Sequence, residues 1–393
     1  YLDFVGEVEE ALSVADGAII VISGKAGVEA GTERAWEFCE KYDIPRVFFI
    51  TDIDDDNADY AKIVEDLRAL YGKKIAPFHL PVKEDGKFTG YVNVVKMLGR
   101  KCTDDGNKFE DIAIEDMHLS DELQAELEPC REALLEAVAE TSEEFMERYF
   151  GGEEFSEDEI RSALRANVID GSIVPVLMGS NILARGMYTL MSDIIKYFPS
   201  PEKRQCAGIN TKTNEVYNAD YDFAKPKSAY VFKTIVDPYI GKYSLIKVNS
   251  GVLKTDDVLY NYHRDFEEKA GRLYLLRGTK TIEVKELHAG DIGALPKLQK
   301  TLTTDSLSTK GVPVAFIRTA ISKPYVSMRY KAKNKGDEDK ISQALQKIQM
   351  EDLTLKSVND SENGQTLLYG MGDTHLEVVS DALLEKYKVE IEL

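Results

Sequence analysis

Two short polar runs stand directly behind apolar, β-branched stretches, and the loops after parallel strands are where open α/β sheets bind ligands. Thr51-Asp52-Ile53-Asp54 follows RVFFI at 46–50, and Gly179-Ser180-Asn181 follows IVPVLM at 173–178. An ionised carboxylate in such a loop can only accept hydrogen bonds. The longer run TDIDDDNAD at 51–59 has two plain readings, a solvated acidic turn or a weak calcium site built on dense carboxylates. Phosphate chemistry needs a different string, GxxxxGK[ST], which cradles phosphates with backbone N–H groups and supplies a lysine and a magnesium-binding hydroxyl. No such string occurs, and GKAGVEAG at 24–31 lacks the closing Gly-Lys-Ser/Thr. His79, His118, His263, His288 and His375 are scattered, without HExxH or paired-ligand spacing. His375 reads as a capping or packing residue. No Ser/His/Asp or Cys/His set can be assembled, so neither a catalytic residue nor a metal site is expected in this chain.

A cationic candidate is RYKAKNKGDEDK, where Arg329, Lys331, Lys333 and Lys335 alternate and would share one face of a strand against phosphate. Its bland reading is a solvated edge strand whose lysines discourage aggregation. Elsewhere the balance is acidic: 69 Asp and Glu against 49 Lys and Arg give a formal net charge of −20. That argues against binding nucleic acid through a general basic face, so an RNA partner would need a local patch. Cys39, Cys102, Cys130 and Cys206 lie far apart with no CxxC pair and no signal peptide ahead of them. They read as reduced thiols of a cytoplasmic protein.

The elements that must position these residues come from a 393-residue chain, 43% hydrophobic and 30% charged. That length predicts two or three cores, and no apolar run reaches the ~20 residues of a membrane helix. The chain starts at Tyr1 rather than Met, in a helical pattern (Val5, Val8, Ala11, Leu12), as expected of a piece of a longer protein. AIIVI at 18–22 and RVFFI read as buried strands around a helix at 31–42, which implies a parallel sheet with crossover helices. IVPVLM is a third strand. It follows a mostly helical section from Asp121 to Val168, in which Gly151-Gly152 closes one helix and Ser156 with Glu159 caps the next. The pieces and turns from Ile75 to Phe109, including EDGKFTG and CTDDGNK, make 75–170 an insertion mounted on the α/β domain. Pro199 and Pro201 end a helix that begins near Met187 and mark a linker. From Ala224, the short segments SAYVFKTIV, KYSLIKVNSG, DVLYNYH, GRLYLLRG and GDIGAL are spaced as in a small closed β barrel. From about Pro324 the order strand, helix, strand, strand, helix, strand is the ferredoxin-like βαββαβ motif.

These stretches carry a family resemblance over essentially the whole chain. YLDFVGEVEEALSVADGAIIVISGKAGVEAGTERAW resembles the segment directly after the DxPG motif of the elongation factor G family of translational GTPases. VPVLMGSN followed by YFPSP is similar to that family's guanine-loop strand and exit linker. KSAYVFKTIVDPYIGKYSLIKVNSGVLKTDDVLYN and HAGDIGAL resemble its second-domain barrel, and LLYGMGDTHLEVV resembles the GMGELHL helix start of its third domain. The resemblance implies a multidomain α/β plus β protein. Residues 1–205 would be the distal part of a P-loop-type GTPase domain with its inserted subdomain, 206–323 the barrel and 324–393 the ferredoxin-like domain.

In that family an NKxD loop selects guanine: the Asp accepts both N–H groups of the base, the Lys stem covers the ring and the Asn steadies neighbouring loops. The matching positions are Thr51, Asp52, Ile53 and Asp54. Asp54 keeps the base-reading carboxylate, whereas Asp52 reverses the charge of the Lys and Thr51 replaces the Asn. Such a reversal beside a polyanion is expected to cost on the order of 1–3 kcal/mol of nucleotide affinity. Gly179, Ser180 and Asn181 match the second base loop, where Asn181 stands for a common Ala and leaves its N–H available. The phosphate loop, switch segments and DxPG motif would precede Tyr1. This chain alone is therefore expected to hydrolyse no GTP and to hold neither GTP, GDP nor Mg²⁺ tightly, although the complete protein would bind all three. The implied parent is a monomer without a membrane partner that binds the ribosome, rRNA and ribosomal proteins included, and couples hydrolysis to tRNA and mRNA movement. The altered loop leaves open a degenerate or ribosome-protecting paralogue.

Overall fold

RVFFI and IVPVLM become parallel strands covered on both faces, whereas AIIVI, expected to be buried, forms an edge strand with Ile19 and Val21 40% and 61% exposed. A computed structural model describes residues 2–84, 86–103, 109–237, 241–278, 280–360 and 362–393. The first half of the chain runs α1 (Val5–Leu12), β1 (Ala18–Ser23), α2 (Ala30–Lys41), β2 (Arg46–Thr51), α3 (Tyr60–Tyr71) and β3 (Ile75–Pro77). It continues through β4 (His79–Glu84), β5 (Lys87–Asn93), β6 (Leu98–Cys102), β7 (Phe109–Ile112), α4 (Asp121–Ala139), α5 (Glu143–Phe150), α6 (Glu157–Ile169), β8 (Val174–Met178) and α7 (Met187–Tyr197). Tyr1 and most of the turn expected from CTDDGNK lie outside the described residues.

The parallel sheet has the order β1-β2-β8-β3. All six residues of β2 are buried, and Phe48 and Ile50 are wholly enclosed. The chain's single tryptophan, Trp36 of α2, stacks on Tyr71 of α3 with ring centroids 3.9 Å apart and on Phe48 at 5.8 Å. Arg46 lies over the same indole at 4.2 Å and pairs with Glu40 at 2.7 Å, so its buried charge is matched. The expected helix signals are present: Ser156 and Glu159 form a reciprocal capping box at α6, and Gly151 caps α5.

One expected boundary moves. Ile75–Pro77 pairs in parallel with Val174–Val176 of β8, so these residues are the edge of the main sheet. The inserted strands start after them, at His79, and form an antiparallel meander β4-β5-β6-β7.

The chain divides into two compact units, residues 15–200 and residues 201–393 together with the N-terminal segment up to Val14. Helix α1, expected within the α/β domain, belongs to the second unit. Its Glu9 accepts hydrogen bonds from Ser322 N–H at 2.7 Å and from the Ser322 hydroxyl at 3.0 Å. Glu7 and Glu10 both pair with Lys233, the latter at 3.4 Å. A Cβ on Gly6 would meet Thr354 at 2.6 Å, so helix and neighbour are in close contact.

In that unit, an eight-stranded sheet from Ser228 to Ser308 curls around one core. Val231, Ile246, Leu259, Leu273, Leu295 and Leu307, drawn from across the sheet, meet in it. A hairpin at 207–218 pairs with Val314–Phe316 beside it. The last region has strands Val326–Ala332, Lys356–Asp360, Gln365–Gly370 and Ile391–Glu392 with helices Glu338–Glu351 and Asp373–Tyr387. Counted along the chain its sheet order is 2-3-1-4, all antiparallel, the arrangement of the βαββαβ motif.

Stability can be tested at one site in each unit. Gly24 opens the turn out of β1, and a Cβ there would stand 2.7 Å from the Thr51 carbonyl oxygen, which the Gly24 N–H itself engages at 2.8 Å. Gly24→Ala is expected to destabilise residues 15–200 by about 1–3 kcal/mol through this overpacking, read by urea unfolding on Trp36 fluorescence. Burial raises the Glu10 carboxyl from 4.5 to about 7 despite Lys233. The native state therefore holds this proton more tightly than the unfolded chain, and stability is lost as pH rises from 4.5 through about 7. Glu10→Gln is expected to match wild type at acidic pH and to exceed it above neutrality by up to about 3 kcal/mol, measured by calorimetry across that range.

Candidate guanine-reading loops

Because β1, β2 and β8 run parallel, their carboxyl ends and the loops behind them gather on one side of the sheet. The loops are tied by their own backbones. Gly24 N–H donates to Thr51 O at 2.8 Å, Asp59 N–H to Gly24 O at 3.1 Å, Gly179 N–H to Ile50 O at 2.9 Å and Ile53 N–H to Gly179 O at 3.3 Å. A Cβ on Gly179 would stand 2.7 Å from both Arg185 O and the Phe49 ring, so only glycine fits between strand end and returning loop.

Within 51–59 three of the five acidic groups have a local use. Asp52, in the left-handed region at φ 57°, accepts the Ser23 hydroxyl at 2.9 Å. Asp55 accepts the Asn57 backbone N–H at 2.9 Å and its side-chain amide at 3.1 Å, which hold its carboxyl below the usual range. Its backbone oxygen takes the Lys83 ammonium at 2.6 Å, and Lys25 stands 3.5 Å from its carboxylate. Asp59 caps α3 by accepting Lys62 N–H at 3.0 Å. Among the described residues no three His, Cys, Asp or Glu side chains converge in metal-binding geometry, so the calcium alternative finds no ligand set here. Asp56 is exposed, and Asp54 stands apart from this local pairing. It is half-buried, and its Oδ1 is enclosed with no hydrogen-bond partner; Thr51 Oγ1 is likewise enclosed and unpaired.

In the second loop, Ser180 is fully buried. Its N–H donates to Arg185 O at 2.9 Å and its hydroxyl accepts Leu183 N–H at 3.0 Å, so both groups serve the loop itself. Asn181 is exposed. Gly24 and Ser23, which tie these loops together, were not singled out from the sequence, though a glycine directly behind an apolar strand was the available signal.

The cationic run lies elsewhere, in unit 201–393. Its strand, Val326–Ala332, is flanked on both sides and is not an edge. It stops at Ala332, so Lys333 and Lys335 fall beyond it. Lys331 pairs with Glu392 at 2.8 Å and Lys333 with Glu390, which leaves Arg329 and Lys335 exposed without acidic partners among the described residues. The four charges do not form one cationic face.

Comparison with known proteins matches this arrangement along the chain. The description "Elongation factor Tu GTP binding domain" fits residues 1–200, "Elongation factor G domain 2" residues 226–310 and "Elongation Factor G, domain III" residues 321–393. A crystal structure of a protein from Thermus thermophilus superposes with a TM-score of 0.81 at 30% identity. That match covers 100% of this chain and 55% of the other, so the chain spans about half the length of its structural relative. With a fold in which two loops meet at the carboxyl end of a parallel sheet, followed by the family's barrel and βαββαβ domains, the chain belongs to the elongation factor G family of translational GTPases.

Proposed function

We propose that the complete protein binds the ribosome and couples GTP hydrolysis to movement of tRNA and mRNA, with residues 51–54 and 179–181 reading the guanine base. The observation that carries this reading is the enclosed, unpaired Oδ1 of Asp54. Leaving a buried acceptor unsatisfied costs about 1–3 kcal/mol, and a base offering two N–H groups would recover that cost. The loop thus fits a purine with donors on its edge and rejects adenine, whose amino group and ring nitrogen present a different pattern. GTP is the substrate. The residues here suit its base and not its phosphates, for which the sequence contains no GxxxxGK[ST] string. On this reading the 393-residue chain by itself hydrolyses no GTP, and Mg²⁺ is held by other parts of the complete protein.

A second reading rests on Asp52. Where the family pattern places a lysine stem over the base, this carboxylate is turned to the Ser23 hydroxyl at 2.9 Å. A protein so altered would act as a ribosome-binding or ribosome-protecting factor with weak or changed nucleotide binding.

Titrating fluorescent GDP and ATP analogues into the complete protein separates the two. Guanine-selective binding by the wild type supports the translocase reading. Binding that is absent or unselective, and restored by Asp52→Lys, overturns it in favour of the second. Asp54→Asn supplies an independent check on the base-reading role. It is expected to lower guanine affinity at least about tenfold while changing unfolding stability by no more than about 0.5 kcal/mol, because no protein donor loses its partner.

A further inference from the structure

A cavity of about 120 Å³ lies within the α/β unit, away from the base-reading loops, where the start of β4, the end of β5, α6 and α7 meet. His79, Lys96, Arg161, Arg165, Asp193 and Lys196 line it, with Phe78 and Tyr197 as apolar walls whose rings meet edge to face at 5.2 Å. Four permanent cations around one small cavity run against the composition of a chain with net charge −20. Two of them are already matched: Arg161 pairs with Asp158 and Glu157, and Lys196 lies 3.3 Å from Asp193. Lys96 and Arg165 are exposed at the rim and have no acidic partner among the described residues. Arg161 and Arg165 stand one turn apart on α6 and so face the same way.

The floor supplies a separate observation. His79 is 1% exposed, yet neither ring nitrogen has a hydrogen-bond partner, and Asp193 Oδ2 has none. Nε2 and Asp193 Oδ2 approach to 3.3 Å without hydrogen-bond alignment, so Nδ1 is the ring nitrogen left to other partners. Buried polar atoms of this kind ordinarily meet a water or an ion. The cavity has room for several waters and so for a tetrahedral oxyanion.

We propose that this cavity is an anion site for a phosphate or sulfate group, held by Arg165 and Lys96 at the rim and by His79 at the floor. His79 donates an N–H to the anion from the floor, while Asp193 is paired with Lys196. The site is independent of the guanine reading, since it shares no residue with the base loops.

Calorimetric titration of the 393-residue chain at constant ionic strength, set with chloride, tests it with sulfate, inorganic phosphate and glycerol 1-phosphate as probes. One saturable site is expected for sulfate and phosphate, weakened at least about fivefold by Arg165→Gln or Lys96→Gln, as for loss of a charge-assisted contact. Sulfate binding is expected to weaken at least about threefold in His79→Gln, which removes the donor at the floor. The rim variants are exposed and keep the test alive should His79→Gln fail to fold. Glycerol 1-phosphate binding within a few-fold of phosphate assigns the site to the phosphoryl group of a larger molecule, and its failure to bind assigns it to the free ion. No saturable binding, or saturation unchanged in both rim variants, overturns the proposal.

Discussion

The strand Arg46–Thr51 is the constraint on which the α/β unit rests. Buried at all six positions and paired in parallel on both sides, it can shift neither register nor direction without exposing Phe48 or Ile50. Its end therefore fixes where the next residues emerge. The polar backbone groups there cannot be left bare in a packed interior, and they are satisfied by hydrogen bonds both between loops and within them. Gly24 and Gly179 permit that approach because neither carries a Cβ. The outcome is a stiff frame in which strand ends and loops hold one another, and the carboxylate of Asp54 keeps one oxygen uncommitted. A frame already held by its own hydrogen bonds need not be ordered by a ligand, which lowers the cost of binding.

Around that frame the acidic composition is handled locally. Hydroxyl, amide and backbone donors from Ser23, Asn57 and Lys62 take up Asp52, Asp55 and Asp59. In the other unit, cross-strand glutamates neutralise Lys331 and Lys333. A chain this acidic needs few exposed cations, and where Arg165 and Lys96 keep theirs beside a buried histidine, the departure carries chemical meaning.

The helix Val5–Leu12 shows the opposite economy. Its glutamates are drawn into the barrel and the last domain, where Lys233 and Ser322 meet them. The stretch that matches the GTP-binding domain, residues 1–200, is thereby divided between two compact units, with the break after Val14. A buried carboxyl near neutral pKa on this helix makes its docking sensitive to proton concentration.

Much of this was legible from the residues alone. Strand-forming runs of Val, Ile and Phe, the Ser156–Glu159 cap and the βαββαβ order are short-range signals, set by side-chain shape and backbone donors within a few residues. Loop 51–54 also stood out in the sequence through its place behind a buried strand, and Asp54 within it through the resemblance to the family's NKxD motif. What lay beyond reach were partners distant along the chain. Ile75–Pro77 reads as the start of an insertion until Val174–Val176 pairs with it. Arg329 to Lys335 reads as one cationic face until Glu390 and Glu392 arrive from the C-terminal strand. His79 is one of five scattered histidines until α6 and α7 close a cavity over it. Local propensity determined which elements form. Burial and pairing between remote segments, which no local pattern encodes, decided which side chains are spent on the fold and which are left for a ligand.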